Sequence, residues 1–378
     1  MKDTGLGDET GREGESGLRR RDRNQYIFMP EKSRRKSESH GFRNAVLIFL
    51  PILIAALLIG NFIVSNHVQL EQMRLTVLNL PEDLEQYSIL HLSDLHGAML
   101  GEHQKALKTA LGSIRYSCVV MTGDMLGPDG DTEALMDLIA LMPEATPKYY
   151  VPGDTDGLYL NEEAHGTLSV YQPWAEKLIA AGVTILDRPE SETRGKGTIW
   201  FVPEEVYTLD LDRMREVYQD QLTDMNRRAT AQTADDAARR RVLEYEIARM
   251  DEIAESRKLF QPDHIQVVMT HTPLTEEYVR DMITWGSKED YFSMRYAGLI
   301  LAGHYNGGQW RIPLKGAVYV PEFGWFPDDE KVRGLSHPGG IHQYISPGLG
   351  SDPHYPYQPG RLFNPPTMTL ITLTRKGM

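Results

Sequence analysis

Five stretches of this chain follow one plan, a short apolar run that closes on an aspartate or a histidine. They occupy residues 88–94, 118–124, 149–154, 265–271 and 299–304, and they end on Asp94, Asp124, Asp154, His271 and His304. Short apolar runs alternating with helical segments are the pattern of a layered α/β architecture. A single aspartate or histidine after a strand is ordinarily a turn or cap residue. Five in the same context are hard to explain as turns, and open α/β sheets bind ligands at the carboxyl ends of their strands. The five ends are therefore expected to converge on one site although they lie far apart in sequence.

A second constraint precedes this body. Residues 45–64 are almost wholly apolar and carry no charge, about the ~20 residues that a membrane-spanning helix needs. Pro51 is tolerable in a bilayer helix, and Asn61 falls near its far interface. Lys32, Arg34, Arg35, Lys36 and Arg43 precede the run against Glu31 and Glu38, whereas only Arg74 follows nearby. The positive-inside rule then puts the N-terminus in the cytoplasm and the large domain outside the cell membrane. The run exceeds a signal-peptide core, and residues 65–68 offer no small-residue cleavage site, so an uncleaved anchor is expected. Arg34 and Arg35 lack the hydrophobic residues that follow a twin-arginine signal. The expected organisation is a disordered cytoplasmic tail at 1–43, a transmembrane helix at 44–66 and a large domain at 74–376.

Charge and cysteine content narrow the chemistry. Residues 1–43 hold 11 Lys/Arg and 8 Asp/Glu; the remainder of the chain holds 29 and 45, a charge of -16. So acidic a body argues against nonspecific nucleic-acid binding. One cysteine, Cys118, excludes intramolecular disulfides and a cysteine-based zinc cluster, and its apolar run makes it a buried strand residue. Clustered carboxylates and imidazoles suit hydrolysis of a phosphoester by two divalent ions such as Mn, Fe or Zn, which hold phosphate oxygens and activate a water.

Taken in order, Asp94-Leu95-His96, Gly123-Asp124, Gly153-Asp154-Thr155-Asp156, His271 and Gly303-His304-Tyr305-Asn306 resemble the motifs of the calcineurin-like metallophosphoesterases. The family patterns are D-x-H, G-D, G-N-H-D/E, a lone H after a strand, and G-H-x-H. The continuation at 307–309, 345–350 and 361–366 is similar to the membrane-associated bacterial branch, and the resemblance spans roughly 74–376. It implies a four-layer α-β-β-α sandwich. It further implies a first metal on Asp94 and His96, with Asn306 at the position of another ligand, Asp124 bridging both metals, and a second metal on Asp154, His271 and His304. Asp124, Thr155 and Asp156 fall at positions tied to catalysis.

Three positions depart from the pattern. Asp154 and Thr155 stand where the family has Asn and His, and Asn306 stands where it has the final His. The family's histidine stabilises the transition state or protonates the leaving oxygen, and general acid catalysis is typically worth ~10²- to 10⁴-fold. Thr155 implies a slow enzyme, a good leaving group, or a replacement acid, for which His103 and His165 are candidates by sequence proximity. Asn306 is a weaker ligand than imidazole, whereas Asp154 adds negative charge, so one tight and one loose metal are expected. Two readings stay open: an active membrane-anchored phosphoesterase, or a metal-binding descendant acting as an interaction or scaffold protein. Envelope or lipid-linked phosphoesters are a substrate class that an anchor would favour.

Residues 209–260 contain neither Gly nor Pro and are highly charged, which predicts a helical insertion at about 205–261. Leu211, Met214, Val217, Tyr218, Leu222 and Met225, then Val242, Leu243, Ile247, Met250 and Ile253, recur at helical spacing. Two helices broken near 230–234 are expected, serving as a solvated cover, a lid or a partner-binding arm. Trp310, Phe323, Trp325 and Phe326 are candidates for an aromatic wall beside the metals, or for a packed aromatic loop.

Overall fold

A computed structural model of the chain describes residues 39–65, 67–112, 114–161, 169–228, 233–285, 292–355, 358 and 360–375. The greater part of the predicted tail, His165 and residues 229–232 lie outside the described residues. Two compact units divide between Leu58 and Ile59. The first holds most of α1 (Ser39–Ser65), whose stretch Arg43–Ser65 is long and apolar enough to cross a bilayer. Leucine, isoleucine and phenylalanine are exposed all around this helix, as lipid rather than water would favour.

The second unit contains two six-stranded sheets. The first is built from β1 (Gln69–Thr76), β2 (Ser88–Leu92), β3 (Cys118–Thr122), β4 (Lys148–Val151), β5 (Thr184–Ile185) and, from the far end of the chain, β16 (Thr367–Thr374), in the order β1-β16-β2-β3-β4-β5. β2 to β5 run parallel, and β16 is antiparallel to β2. The second is built from β6 (Glu190–Arg194), β7 (Gly197–Pro203), β8 (Ile265–Met269), β9 (Ala297–Ala302), β14 (Gly334–Ser336) and β15 (Gln343–Ile345), in the order β14-β15-β9-β8-β7-β6. Between β9 and β14 the chain makes two short hairpins, β10 (Arg311–Ile312) with β11 (Gly316–Ala317) and β12 (Tyr319–Val320) with β13 (Gly324–Trp325).

Strand alternation sorts the layers. Ile89, Cys118, Val120, Val267, Met269, Leu299 and Leu301 meet in one core between the sheets. Their neighbours Leu90, Leu92, Val119 and Met121 point the other way, onto α2 (Lys105–Leu111), α3 (Glu133–Ala140) and α4 (Pro173–Ala180). Beyond the second sheet, Trp200, Val202, Val268 and Ile300 are covered by α6 (Ala234–Leu259) and α7 (Glu276–Trp285). The result is the expected four-layer α-β-β-α sandwich. Cys118 is fully buried between the sheets, and burial pushes its thiol pKa up.

The insertion forms two helices, α5 (Leu211–Arg228) and α6. α6 starts at a reciprocal cap: Asp236 N–H donates to Thr233 Oγ1 (3.1 Å), and Thr233 N–H donates to the Asp236 carboxylate (3.0 Å). Leu211, Met214, Tyr218, Leu222 and Met225 make a half-buried stripe along α5, but Val217 is exposed. A seam at three- and four-residue spacing is narrow, and Val217 falls outside it. α6 is fastened through charge. Arg249 donates to the Asp187 carbonyl (2.7 Å) and to Glu246 (3.2 Å), pairs with Glu205, and is 6% exposed. Buried charges are tolerable only when paired in this way.

Candidate metal centre

The parallel strands β2, β3 and β4 of one sheet, and β8 and β9 of the other, release their chains at one end of the sandwich, where the five predicted strand ends meet. Asp94, His96 and Asp124 offer ligand atoms that all lie within 4.8 Å of one another, and Asp154, His271 and His304 do the same. Asp124 joins the groups. Its Oδ2 lies 3.3 Å from His271 Nε2 and 3.8 Å from His96 Nε2.

Close backbone approach makes this convergence possible. A Cβ on Gly303 would stand 1.9 Å from Ser93 Oγ, and one on Gly153 would stand 2.3 Å from Asp124 Oδ1, so both positions require glycine. Asp94, His96, Asp124, His304 and Asn306 all adopt positive φ, between 48° and 79°. Backbone strain of this kind costs on the order of 1–3 kcal/mol per residue and collects at functional sites. Here it falls on five of the candidate ligands.

The first group is the more buried. Asp94 is fully buried and accepts the His304 N–H on its two oxygens (3.0 and 3.2 Å). Burial, with the Asp124 charge adding to it, raises the Asp94 pKa to about 6. Asn306 is 1% exposed; its Nδ2 lies 3.3 Å from His96 Nε2, and its Oδ1 has no partner among the described residues. Turning the amide over would point that orphaned oxygen at the cluster instead. Two buried carboxylates, an imidazole and an amide oxygen together fit a divalent cation.

In the second group the histidine tautomers are set by their outer bonds. His271 Nδ1 lies 2.8 Å from the Thr122 carbonyl, which fixes a proton there and turns Nε2 inward. His304 presents Nδ1 to Asp154 (3.1 Å) and to His271 Nε2 (3.2 Å). Its Nε2 faces Glu322 at 3.3 Å. Burial disfavours a charged His271, but Asp124 and Asp94 outweigh it and raise its pKa to about 10. Asp124 itself is held below the usual carboxylate range: burial opposes ionisation, and the bonds from His271 and the Thr155 N–H prevail. The Asp154 side chain is 64% exposed, the most open of the set.

Two residues at catalytic positions have other roles. Asp156 is 4% exposed and accepts from the N–H groups of Asp124, Met125, Leu126 and Gly153 and from the Tyr150 hydroxyl, at 2.5–3.0 Å. It anchors the Asp124 loop from behind and leaves no oxygen for substrate. Thr155 contributes its N–H, 2.8 Å from Asp124 Oδ1, and its buried hydroxyl has no partner among the described residues. His103 is exposed and paired with Asp137 (3.0 Å), on the helical layer. Of the aromatic segment, Phe323 reaches the centre, packing edge-on against Tyr305, which packs edge-on against His304.

Sequence reading missed Glu322 beside His304, and Asn364, whose Nδ2 donates to the Asn306 carbonyl (2.8 Å). Both lie inside segments that stood out in the sequence for other reasons. A solved structure of a phosphopantetheinyl hydrolase from Mycobacterium tuberculosis matches 76% of this chain and 96% of its own, at 13% identity and a TM-score of 0.34. A search of curated proteins finds no match. The pattern of the family described as calcineurin-like phosphoesterase matches residues 87–306, more than half of the chain and every motif from Asp94 to Asn306, and the chain belongs to that family.

Proposed function

We propose that this protein is a membrane-anchored phosphoesterase that cleaves a phosphomonoester or phosphodiester with the help of two divalent cations. The observation that carries the reading is the adjacency of two complete donor groups around Asp124. Asp94, His96 and Asn306 would hold one cation, and Asp154, His271 and His304 the other, with Asp124 between them. Bound cations supply Lewis acidity, neutralising phosphate charge and lowering the pKa of a water.

The chain's own groups do the rest. The Thr155 N–H and the Asp156 anchor fix the Asp124 carboxylate, and the Thr122 carbonyl and Glu322 orient the two imidazoles. Thr155 has no ring to give a proton to the leaving oxygen, so a substrate with a good leaving group suits the site. The same substitution favours a second reading, a metal-binding protein with little or no turnover. In either reading α1 crosses the cell membrane with its basic flank in the cytoplasm, which makes an envelope or lipid-linked phosphoester the natural substrate class. The α5–α6 hairpin, with one outer face of α5 open to solvent, is a candidate surface for a lid or a protein partner.

The test is Mn-dependent hydrolysis of aryl phosphomonoesters and phosphodiesters by the full-length protein in detergent. Activity abolished by Asp124→Ala and raised by Thr155→His supports the enzyme. No turnover in wild type or in Thr155→His leaves the metal-binding reading.

A further inference from the structure

The two hairpins between β9 and β14 leave apolar side chains in water. Leu314 at the tip of the first is fully exposed and Ile312 is 42% exposed; on the second, Trp325 is 72% and Phe326 44% exposed. Scattered exposed apolar residues are normal, but four on one linked element form a patch. The hairpins are joined, since Val318 N–H donates to the Trp310 carbonyl (2.8 Å) and Phe326 N–H to the Val318 carbonyl (3.0 Å). Leu314 and Phe326 also take positive φ, 67° and 52°, where turns usually carry glycine or asparagine. Bulky apolar residues thus occupy positions that exposure and backbone both disfavour. The Lys315 ammonium lies 3.5 Å from the centre of the Phe326 ring, as a cation does when its stem follows apolar surface.

Position indicates what this patch meets. Trp310 and Leu362 form a parallel bridge, and Arg311 N–H donates to the Leu362 carbonyl (2.9 Å). The residues on either side of Leu362 hold the last turn of α1, which belongs to the same compact unit. Ser65 Oγ donates to the Arg361 carbonyl (3.1 Å), and Phe363 N–H donates to Asn61 Oδ1 (2.7 Å). The hairpins and the end of the apolar helix therefore share one strap.

We propose that the hairpin tips are a bilayer-docking surface, on which Ile312, Leu314, Trp325 and Phe326 enter the boundary between lipid headgroups and acyl chains. The proposal rests on α1 crossing that bilayer. Arg311 is paired with Asp329 (2.5 Å) and Lys331 with Asp328 (3.4 Å), which leaves Lys315 over the Phe326 ring as the cation facing lipid, so apolar insertion outweighs attraction to anionic lipid in this contact. Glu322 and Phe323, within the second hairpin, touch His304 and Tyr305. Docking thus brings headgroup phosphoesters beside the metal centre.

The experiment reconstitutes the full chain in phosphatidylcholine vesicles and labels Leu314→Cys with an environment-sensitive fluorophore; Cys118 is fully buried and stays unlabelled. Leu78→Cys, 85% exposed just beyond β1, is the control, because the eight residues of β1 carry it roughly 25 Å along the strand from the helix end. Brominated acyl chains should quench most of the emission at position 314 and little at 78, and Trp325→Ser with Phe326→Ser should remove that quenching. Protein that stays with the vesicles through an alkaline wash but is quenched equally at both positions would overturn the docking surface and leave the anchor intact. Protein washed free of the vesicles would overturn the anchor and the docking surface with it.

Discussion

Asp156→Asn isolates the part of the account that rests on geometry rather than motif. The carboxylate accepts five donors, two on Oδ1 and three on Oδ2. An amide must put its NH2 against at least the two N–H groups of Met125 and Leu126, leaving both buried and unpaired. Each unsatisfied buried donor costs about 1–3 kcal/mol, so the loss is about 2–6 kcal/mol. That is a large fraction of a stability of ~5–15 kcal/mol. At roughly 2 °C per kcal/mol for a domain of this size, the melting midpoint should fall on the order of 4–12 °C. Asp154→Asn, at the exposed ligand, should barely move it. Differential scanning calorimetry of the chelated proteins in detergent measures both. A midpoint for Asp156→Asn within a degree of wild type would refute the anchoring argument.

Removing Arg249 should leave Glu246 and Glu205 without their cation and Asp187 with Arg188 alone; Arg249→Ala is expected to cost about 3–5 kcal/mol and to expose α5 and α6 to proteolysis before the sandwich. Glu322→Ala frees the His304 ring and should weaken Mn binding by roughly 10- to 100-fold in calorimetric titration, with the melting midpoint of the chelated protein unchanged. Proton competition gives a pH signature. Asp94 and His271 have folded pKa values raised to about 6 and about 10, so these two groups hold more protons in the folded chelated protein than unfolded, and the stability they contribute is lost as pH rises through about 6 for Asp94 and about 10 for His271. A divalent cation replaces those protons, and the stabilisation by Mn should therefore grow between pH 5.5 and 8. Equal stabilisation at both values would contradict it.

Local signals made much of this legible. The strand ends could be read because Asp94, Asp124, Asp154, His271 and His304 each close an apolar run, and the helical hairpin because 52 residues without Gly or Pro keep a helical repeat. Contacts made only by folding could not. Asp156 was expected at a catalytic position from its motif, but its carboxylate partners include N–H groups up to 32 residues away on another strand end. Glu322 acquires meaning only where the hairpin folds back on His304, and Asn364 only where the last loop reaches Asn306. Spacing on α5 misplaced Val217 because the seam against α6 is narrower than a full apolar face.

The central claim is that the two donor groups around Asp124 each take a cation. Crystals grown with Mn and measured at its absorption edge locate such ions directly. The account predicts two anomalous peaks per chain, one among Asp94, His96, Asp124 and Asn306 and one among Asp124, Asp154, His271 and His304, both lost in Asp124→Ala. A single peak, or peaks away from these side chains, would contradict it.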